Sequence, residues 1–402
     1  MTSNLIARVL PYLPGTLVEG SAIDIAQNGT TYTISWDSTE AGFSTFGLAL
    51  GAAANAAAAQ ALLSSPLSWR NIIGDNGGFE VWQRGAGASA SFAVPASTTG
   101  YTADRWYIAT NANQASTVAA TAGLVNGSNL AAKITRNSGQ TGIVTMAFGF
   151  PLDTDEIVRM RGQKISLSFV AKAGANWSPA SGLLTCAVVT GTGAVIKLIS
   201  GYTGQVAAIS LPVNLTPGGA AASFGGVSAG TIPTNATQME VAFTWTPVGT
   251  AGADDSFTID DVQLEVQTFA SQFERMPFEK MLLGCKRHFW KSFAYGTAPA
   301  QNVGIATNEL AGIAGFAGAT GHNYIWARNP VQMRVAPGPS GVITFNPGAA
   351  NAQMREEITS TDGTSTTVNA AGGESLVIQS VGGAGTVLGN LLGVHVTVDA
   401  GI

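Results

Sequence analysis

The chain has little charge. Only 11% of its 402 residues are Asp, Glu, Lys or Arg, against roughly 25% in ordinary globular domains. Lysine is the scarcest of these in the terminal regions: the first is Lys133 and none follows Lys291. Net charge is −5, and the one basic cluster, Lys280, Lys286, Arg287 and Lys291, reads as the solvated face of a helix. A phosphate backbone needs clustered Lys and Arg, so no nucleic-acid partner is expected. Cysteine is limited to Cys186 and Cys285, too few for a disulfide-stapled secreted scaffold. Free thiols formed in a reducing compartment are expected, and the sequence leaves a single bridge between them open.

Long apolar runs are also missing. Pro11, Pro14 and Gly15 break the N-terminal apolar stretch before it reads as a secretory signal. Phe46 to Leu63 is the most apolar segment, but it is Ala-rich and interrupted by Asn55 and Gln60, so no membrane insertion is expected. The three histidines, His288, His322 and His395, stand in unrelated contexts. No nucleophile elbow, metalloprotease helix or phosphate loop is present, so the chain is not expected to be an enzyme. Asp153, Asp155 and Glu156 follow Pro151 and read as a solvated turn. A glycosidase pair would require two carboxylates facing each other across about 5–10 Å.

Small residues and alternating apolar residues dominate what remains, with 50 glycines and 8% aromatics. That is enough to build cores, and the profile is not that of a disordered chain. Low charge with positive mean hydropathy points to surface buried between subunits or to an extracellular fibre with a Ser/Thr/Asn surface. Residues 1–40 form a small attachment segment in which Tyr32 to Trp36 alternates as a strand and Asn28-Gly29 signals a hairpin. Residues 41–70 hold an Ala-rich oligomerisation helix, spanning 44–64, and a linker. Leu48, Ala52, Asn55, Ala59 and Leu62 make a short a/d seam on it. An equally open reading is a helix packed on its own domain. Residues 71–270 form a β domain of short alternating runs bounded by Gly, Pro, Asn or Ser, as a sandwich or jelly roll requires. Residues 271–292 supply a connector helix, with Met281, Cys285 and Phe289 on one face. Residues 293–402 are β-rich again, with runs at Gly341–Phe345, Ser375–Gln379 and Leu391–Val398.

Two motifs bracket the first β domain. Asn76-Gly-Gly-Phe79-Glu80-Val-Trp82-Gln-Arg84-Gly85 opens it and Ile259-Asp260-Asp261-Val-Gln263-Leu-Glu265 closes it. Between them lies Tyr101-Thr-Ala-Asp104-Arg105-Trp106. Gly77 and Gly78 allow a tight turn and Phe79 can plug the end of a sandwich. Arg105 can fork onto a carboxylate and stack on an aromatic face. Strict alternation would send Asp260 and Asp261 to opposite faces. First and last strands of a jelly roll can lie side by side, so Glu80 and one of these Asp residues could meet, and calcium suits such oxygen donors. They could equally be solvated, or pair with Arg84 or Arg105. Trp82, Tyr101, Trp106 and Tyr107 could form a sugar-stacking platform, with the two tryptophans better placed in the core. Trp177 follows Asn176 in a loop-like stretch and is the tryptophan expected to contact ligand. The candidate ligand-binding residues are therefore Trp177, Tyr101 and Tyr107, and the candidate metal ligands Glu80, Asp260 and Asp261.

The order of these motifs resembles the jelly-roll domain of bacteriophage tail fibres and related virion appendages, and is similar to calcium-containing carbohydrate-binding modules. The segment from Gln263 to Arg275 followed by Cys285-Lys-Arg287-His288-Phe289-Trp290 resembles the hand-over from jelly roll to helix in phage tail proteins. Asn329 to Pro337 is similar to a stretch of their C-terminal β domain. The likeness spans roughly residues 75–347, and residues 1–70 carry none of it. It implies a mainly β protein: a jelly-roll sandwich plus a C-terminal β tip domain. It further implies a homotrimer, made in the host bacterial cytoplasm and resident in the virion, attached to other virion proteins through residues 1–70. The implied function is non-catalytic adsorption to a bacterial surface polysaccharide, with structural calcium held by Glu80 and Asp260 or Asp261. The rival expectation is a purely structural capsid-decoration or baseplate protein.

Overall fold

The computed structural model describes residues 70–304 and 308–401, together with the backbone of 22–27 and 30–35. The chain divides into two compact units, Met1–Leu67 and Ser68–Ile402. In the first, β1 (Ala22–Gln27) pairs antiparallel with β2 (Thr30–Ser35), Gln27 lying opposite Thr30. The two strands thus pair on either side of the hairpin signal read at Asn28-Gly29, which itself lies outside the described residues. The helix expected over 44–64 lies outside the described residues.

The second unit is mainly β. Its first part contains β3 (Ser91–Val94), β4 (Thr99–Tyr101), β5 (Tyr107–Ala109), β6 (Ser116–Ala122), β7 (Leu130–Arg136) and β8 (Met146–Leu152). A one-turn helix, α1 (Thr154–Val158), leads to β9 (Ser166–Ala173), β10 (Leu183–Gly191), β11 (Val206–Asn214), β12 (Ala222–Val227), β13 (Gln238–Trp245) and β14 (Asp255–Glu265). They form two six-stranded antiparallel sheets, ordered β11-β10-β13-β8-β5-β4 and β12-β9-β14-β7-β6-β3. From β7 onward the chain crosses between sheets at nearly every connection, which is jelly-roll sandwich behaviour. Inward-facing aromatics fill the space between the sheets. Trp106 stacks on Phe148 with ring centroids 5.1 Å apart and meets Phe79 at 5.0 Å, and Phe169 meets Phe243 edge-on at 5.0 Å. Each such burial contributes about 1.5–3 kcal/mol, and this cluster is the main core of the molecule.

The connector helix is shorter than its apolar spacing suggested. Instead of filling 271–292 it is α2, Phe278–Lys286, with Pro277 immediately before it. The preceding residues are held against the sandwich, and Phe289–Lys291 is captured as β15 by the last strand of the chain. Tertiary pairing overrides the period here, because Phe289 and Trp290 are buried equally well in a strand.

The C-terminal part contains β16 (Leu310–Ile313), β17 (His322–Arg328), β18 (Val342–Phe345), β19 (Arg355–Glu356), β20 (Thr361–Asp362), β21 (Ser365–Ala371), β22 (Ser375–Val381) and β23 (Leu391–Asp399). β23 is the hub, pairing with β15, β16, β18 and β19 along its length. A separate sheet has the order β17-β22-β21. Ile325, Leu376, Ile378, Val394 and Val396 join the two in a second core. Ion pairs and hydrogen bonds bind this part to the sandwich. Arg84 meets Asp399 at 2.7 Å, and the Lys291 ammonium donates to the Gly85 carbonyl at 2.9 Å.

Candidate functional site

The opening motif is a knot of turns. Asn76 donates through Nδ2 to the carbonyls of Val81 and Asp104, and its Oδ1 accepts from the Val81 amide at 2.9 Å. Phe79 adopts φ 55° so that its ring enters the core while the chain reverses. Asp104 accepts from the Gln83 backbone and side chain, and burial pushes its carboxyl up to about 6. Arg105 is fully buried. It forks onto Glu156 at 2.7 and 2.8 Å, reaches Asp75 at 3.0 Å, and lies 4.3 Å above the Phe150 ring. The fork and the stacking are those expected of Arg105. Asp153 and Glu156 are the correction: both are buried rather than part of a solvated turn, Glu156 against Arg105 and Asp153 beside Arg334 at 3.3 Å, because these cations draw them in.

The closing motif has a different role. β14 carries a bulge between Asp260 and Gln263, with Asp261 at φ 48°. Strict alternation fails there, so Asp260 and Asp261 are not separated onto opposite faces in the way the sequence suggested. The Asp261 amide donates to Asp260 Oδ1 at 2.8 Å. Burial first, and the Asp260 charge next, raise the Asp261 carboxyl to about 6. The opening knot lies alongside this bulge, through Val262 N–H to Gly77 O at 2.9 Å and Ile72 N–H to Leu264 O at 2.7 Å. First and last segments do meet, as anticipated, but as turn against strand.

Beyond the bulge, Gln263 and Glu265 are buried and hold down residues 270–275 as a strap across the sheet. Glu265 accepts from the Ser271 amide and hydroxyl, both at 2.7 Å, and Gln263 Oε1 accepts from the Glu274 amide at 2.7 Å. The strap, the loop at 125–126 and strands β9 and β12 enclose a groove of about 500 Å³, within the range of small-molecule sites. Phe224, Phe273 and Asp261 line it with Arg275, Gln272 and Asn126. Arg275 pairs with Asp261 Oδ2 at 2.7 Å and lies 5.2 Å from the Phe273 ring centre. Asp261 Oδ1 is buried and accepts no hydrogen bond. A larger cavity, about 580 Å³ beside α2, is walled by Asp75 and Glu156, but both are already taken by Arg105.

Of the residues expected at a site, Asp261 lines the groove. Glu80 and Asp260 hold the hairpin loop between β6 and β7 instead: Glu80 accepts from the Asn129 amide at 2.9 Å and Asp260 from the Leu124 amide at 2.8 Å. No group of three Asp, Glu, His or Cys that could hold a metal is assembled among the described residues. The Asp260–Asp261 pair, with its unpartnered oxygen, suits a cation in part. The rest of a six-to-eight-oxygen shell would fall to backbone carbonyls and amide side chains.

The three aromatics fare differently. Trp177 is buried, packed 5.3 Å from Phe257 with its indole N–H on the Gly182 carbonyl at 3.0 Å. It is not displayed for stacking, because the loop it sits in folds into the sandwich end. Tyr107 is buried too, its hydroxyl donating to Glu240 at 2.6 Å. Tyr101 is partly exposed, but Lys197 and Arg84 cover its ring at 4.5 and 4.8 Å. Sequence reading missed Phe273 and Arg275 as groove residues. Their signal was the pair of polar residues on one face of β14, Gln263 and Glu265, which an uncovered sheet face would leave solvated. Cys186 and Cys285 are both free and buried.

No family model matches the sequence, and no curated protein matches it. Solved structures align with part of the chain at low similarity. The enzymatically active domain of bacteriophage CBA120 tailspike protein 4 aligns over 40% of this chain and 19% of its own, at 15% identity and TM-score 0.27. A xylan-binding domain of carbohydrate-binding module family 22 aligns over 44% of this chain and 100% of its own, at 15% identity and TM-score 0.28. A family 27 module of Caldicellulosiruptor saccharolyticus, solved with mannohexaose, aligns over 38% and 84%, at 11% identity and TM-score 0.25. Carbohydrate-binding β-sandwiches and a phage tailspike domain are thus among the structures it resembles, and likenesses this distant set no limit on what the chain does.

Proposed function

We propose that this protein is a non-catalytic glycan-binding component of a phage virion appendage, adsorbing the particle to a bacterial surface polysaccharide. The observation that carries the reading is the strapped groove on the sandwich. A pyranose offers hydroxyl donors and an apolar C–H face. The groove offers a guanidinium held in place by Asp261, amide side chains and aromatic rings on a rigid wall, which is the complementary set. Contacts of this kind are individually weak. A homotrimer, attached to other virion proteins through residues 1–70 and repeated on a particle, would gain avidity from copy number. Calcium belongs to the same proposal: Asp260 and Asp261 would hold it, and it would stiffen the groove wall by cancelling their repulsion.

Labelled full-length protein is applied to candidate host cells with and without periodate oxidation of their glycans. Saturable binding that periodate abolishes, and that Asp261→Asn weakens, is expected. Folded oligomer that binds no host would point instead to a structural capsid or baseplate component. Release of reducing sugar from the polysaccharide would overturn the non-catalytic reading. Light scattering should return three times the 40.9 kDa chain mass. Chelation should lower the melting temperature, and elemental analysis finding no metal would remove calcium from the account.

A further inference from the structure

The C-terminal sheet exposes an aromatic pair that the groove does not explain. β17 alternates strictly: Asn323 and Ile325 point into the core, while His322, Tyr324, Trp326 and Arg328 face outward. Trp326 is 75% exposed and Tyr324 43% exposed, whereas every other tryptophan among the described residues is buried. Leaving an indole in water forgoes the burial of about 150–250 Å², so the position calls for a partner. The two rings lie two residues apart on one strand, about 6.6 Å along its axis.

Their neighbours decide what kind of partner. Gln379 stands opposite Tyr324, and Thr367 of β21 lies next across the sheet. Thr367 donates to Asn369, Asn369 to Gln379, and Gln379 joins His322, a continuous chain of hydrogen-bonding side chains beside the rings. At the other end Trp326, Arg328, Glu374 and Ser375 border a hollow of about 370 Å³. The Arg328 and Glu374 side chains are exposed and make no ion pair among the described residues. A protein–protein contact favours a continuous apolar centre with charge excluded. Across the sheet Trp326 has Val377 and then Ala370 beside it, and polar side chains flank the pair elsewhere: Gln379, Asn369 and His322 by Tyr324, Arg328 and Glu374 beyond Trp326. That pattern fits a pyranose chain, whose axial C–H face stacks on an aromatic ring while its equatorial hydroxyls reach polar side chains on either side.

We infer that the outer face of the β17-β22-β21 sheet is a second glycan-binding surface, with Trp326 and Tyr324 as stacking rings for consecutive sugar units of a polysaccharide. The inference rests on the glycan-binding reading above but uses a different surface. It predicts that a long polysaccharide is held at two places on each chain.

Full-length protein, Trp326→Ala, Trp326→Phe and Asp261→Asn are titrated against a panel of immobilised, purified bacterial surface polysaccharides. The molar mass of each variant is measured by light scattering. Trp326→Ala should weaken binding by about tenfold or more, Trp326→Phe should retain most of it, and both should keep the wild-type mass. Unchanged binding by Trp326→Ala, with Asp261→Asn impaired, would remove this surface and leave the groove. A fall in mass for Trp326→Ala would show that the face is a contact between copies of the chain and would also overturn it. Wild-type protein that binds no member of the panel would overturn both glycan readings together.

Discussion

The sandwich and the β17-β22-β21 sheet treat the same side chain in opposite ways. In the sandwich, Trp82, Trp106 and Trp177 are buried, and each indole N–H has a backbone carbonyl to meet: Phe79, Asn76 and Gly182. In the C-terminal sheet, Trp326 stands in solvent on a strand whose alternate residues fill a core. Polar groups reverse as well. The sandwich buries Arg105, Glu240, Gln263 and Glu265 to pin turns and a strap, while the C-terminal sheet spreads Gln379, Asn369 and His322 across its outer face. Burial of a polar network specifies one arrangement of the loops around it, because every unmet partner is costly. Display of aromatics leaves a surface ready for something outside the chain.

The largest effect should come from Trp106→Ala, which removes the centre of the aromatic stack. A loss of about 3–5 kcal/mol is expected, read as a collapse of the sandwich transition in calorimetry. A small shift would mean the core is organised around Phe148 or Phe79 alone. Arg105→Met should cost about 3–5 kcal/mol by leaving Glu156 and Asp75 buried without their cation; retention of wild-type stability in urea titration would show that the fold does not depend on that cation. Glu265→Ala should cost about 1–3 kcal/mol, and hydrogen exchange should show its loss concentrated in residues 270–275. Uniform loss across the sandwich would mean the strap is not a separate element.

Glu240 gives a smaller, pH-dependent effect. Burial raises its carboxyl to about 7 against the donors Tyr107 and Leu198. The folded state therefore holds the proton more tightly than the unfolded chain. Stability is fullest below the ordinary Glu range and declines as pH rises from about 4.5 toward 7. Glu240→Gln should flatten melting temperature across that window, and an unchanged slope would assign it to the other carboxyls that burial raises, Asp104, Asp153 and Asp261 to about 6 and Glu309 to about 7. Smallest of all should be Trp326→Ala, within about 0.5 kcal/mol of wild type. A large destabilisation would mean the exposed indole props the sheet.

Much of the architecture was legible in local pattern. Alternation located β18, β22 and β23 to within a few residues, and Asn28-Gly29 marked its hairpin, since a residue's side in a strand depends only on its neighbours. Phe79 and the Asp104-Arg105-Trp106 unit were readable because glycine, arginine and aromatic residues each have few roles in so tight a sequence. The strands rich in Ala, Ser and Thr, such as β6 and β21, were not singled out, because their apolar side is too small to show a period.

What the chain determined by itself is thus the β character, the inward aromatics and the pair of motifs that bracket the sandwich. Tertiary structure alone decided that β14 bulges at Asp261, that Gln263 and Glu265 hold a strap rather than face water, and that Trp177 is covered while Trp326 is bare. The physical reason is that alternation states which side chains share a face and says nothing of whether a second layer lies over that face. Exposure is settled by distant segments, here residues 270–275 folding back over one sheet and no described segment covering the rings of the other.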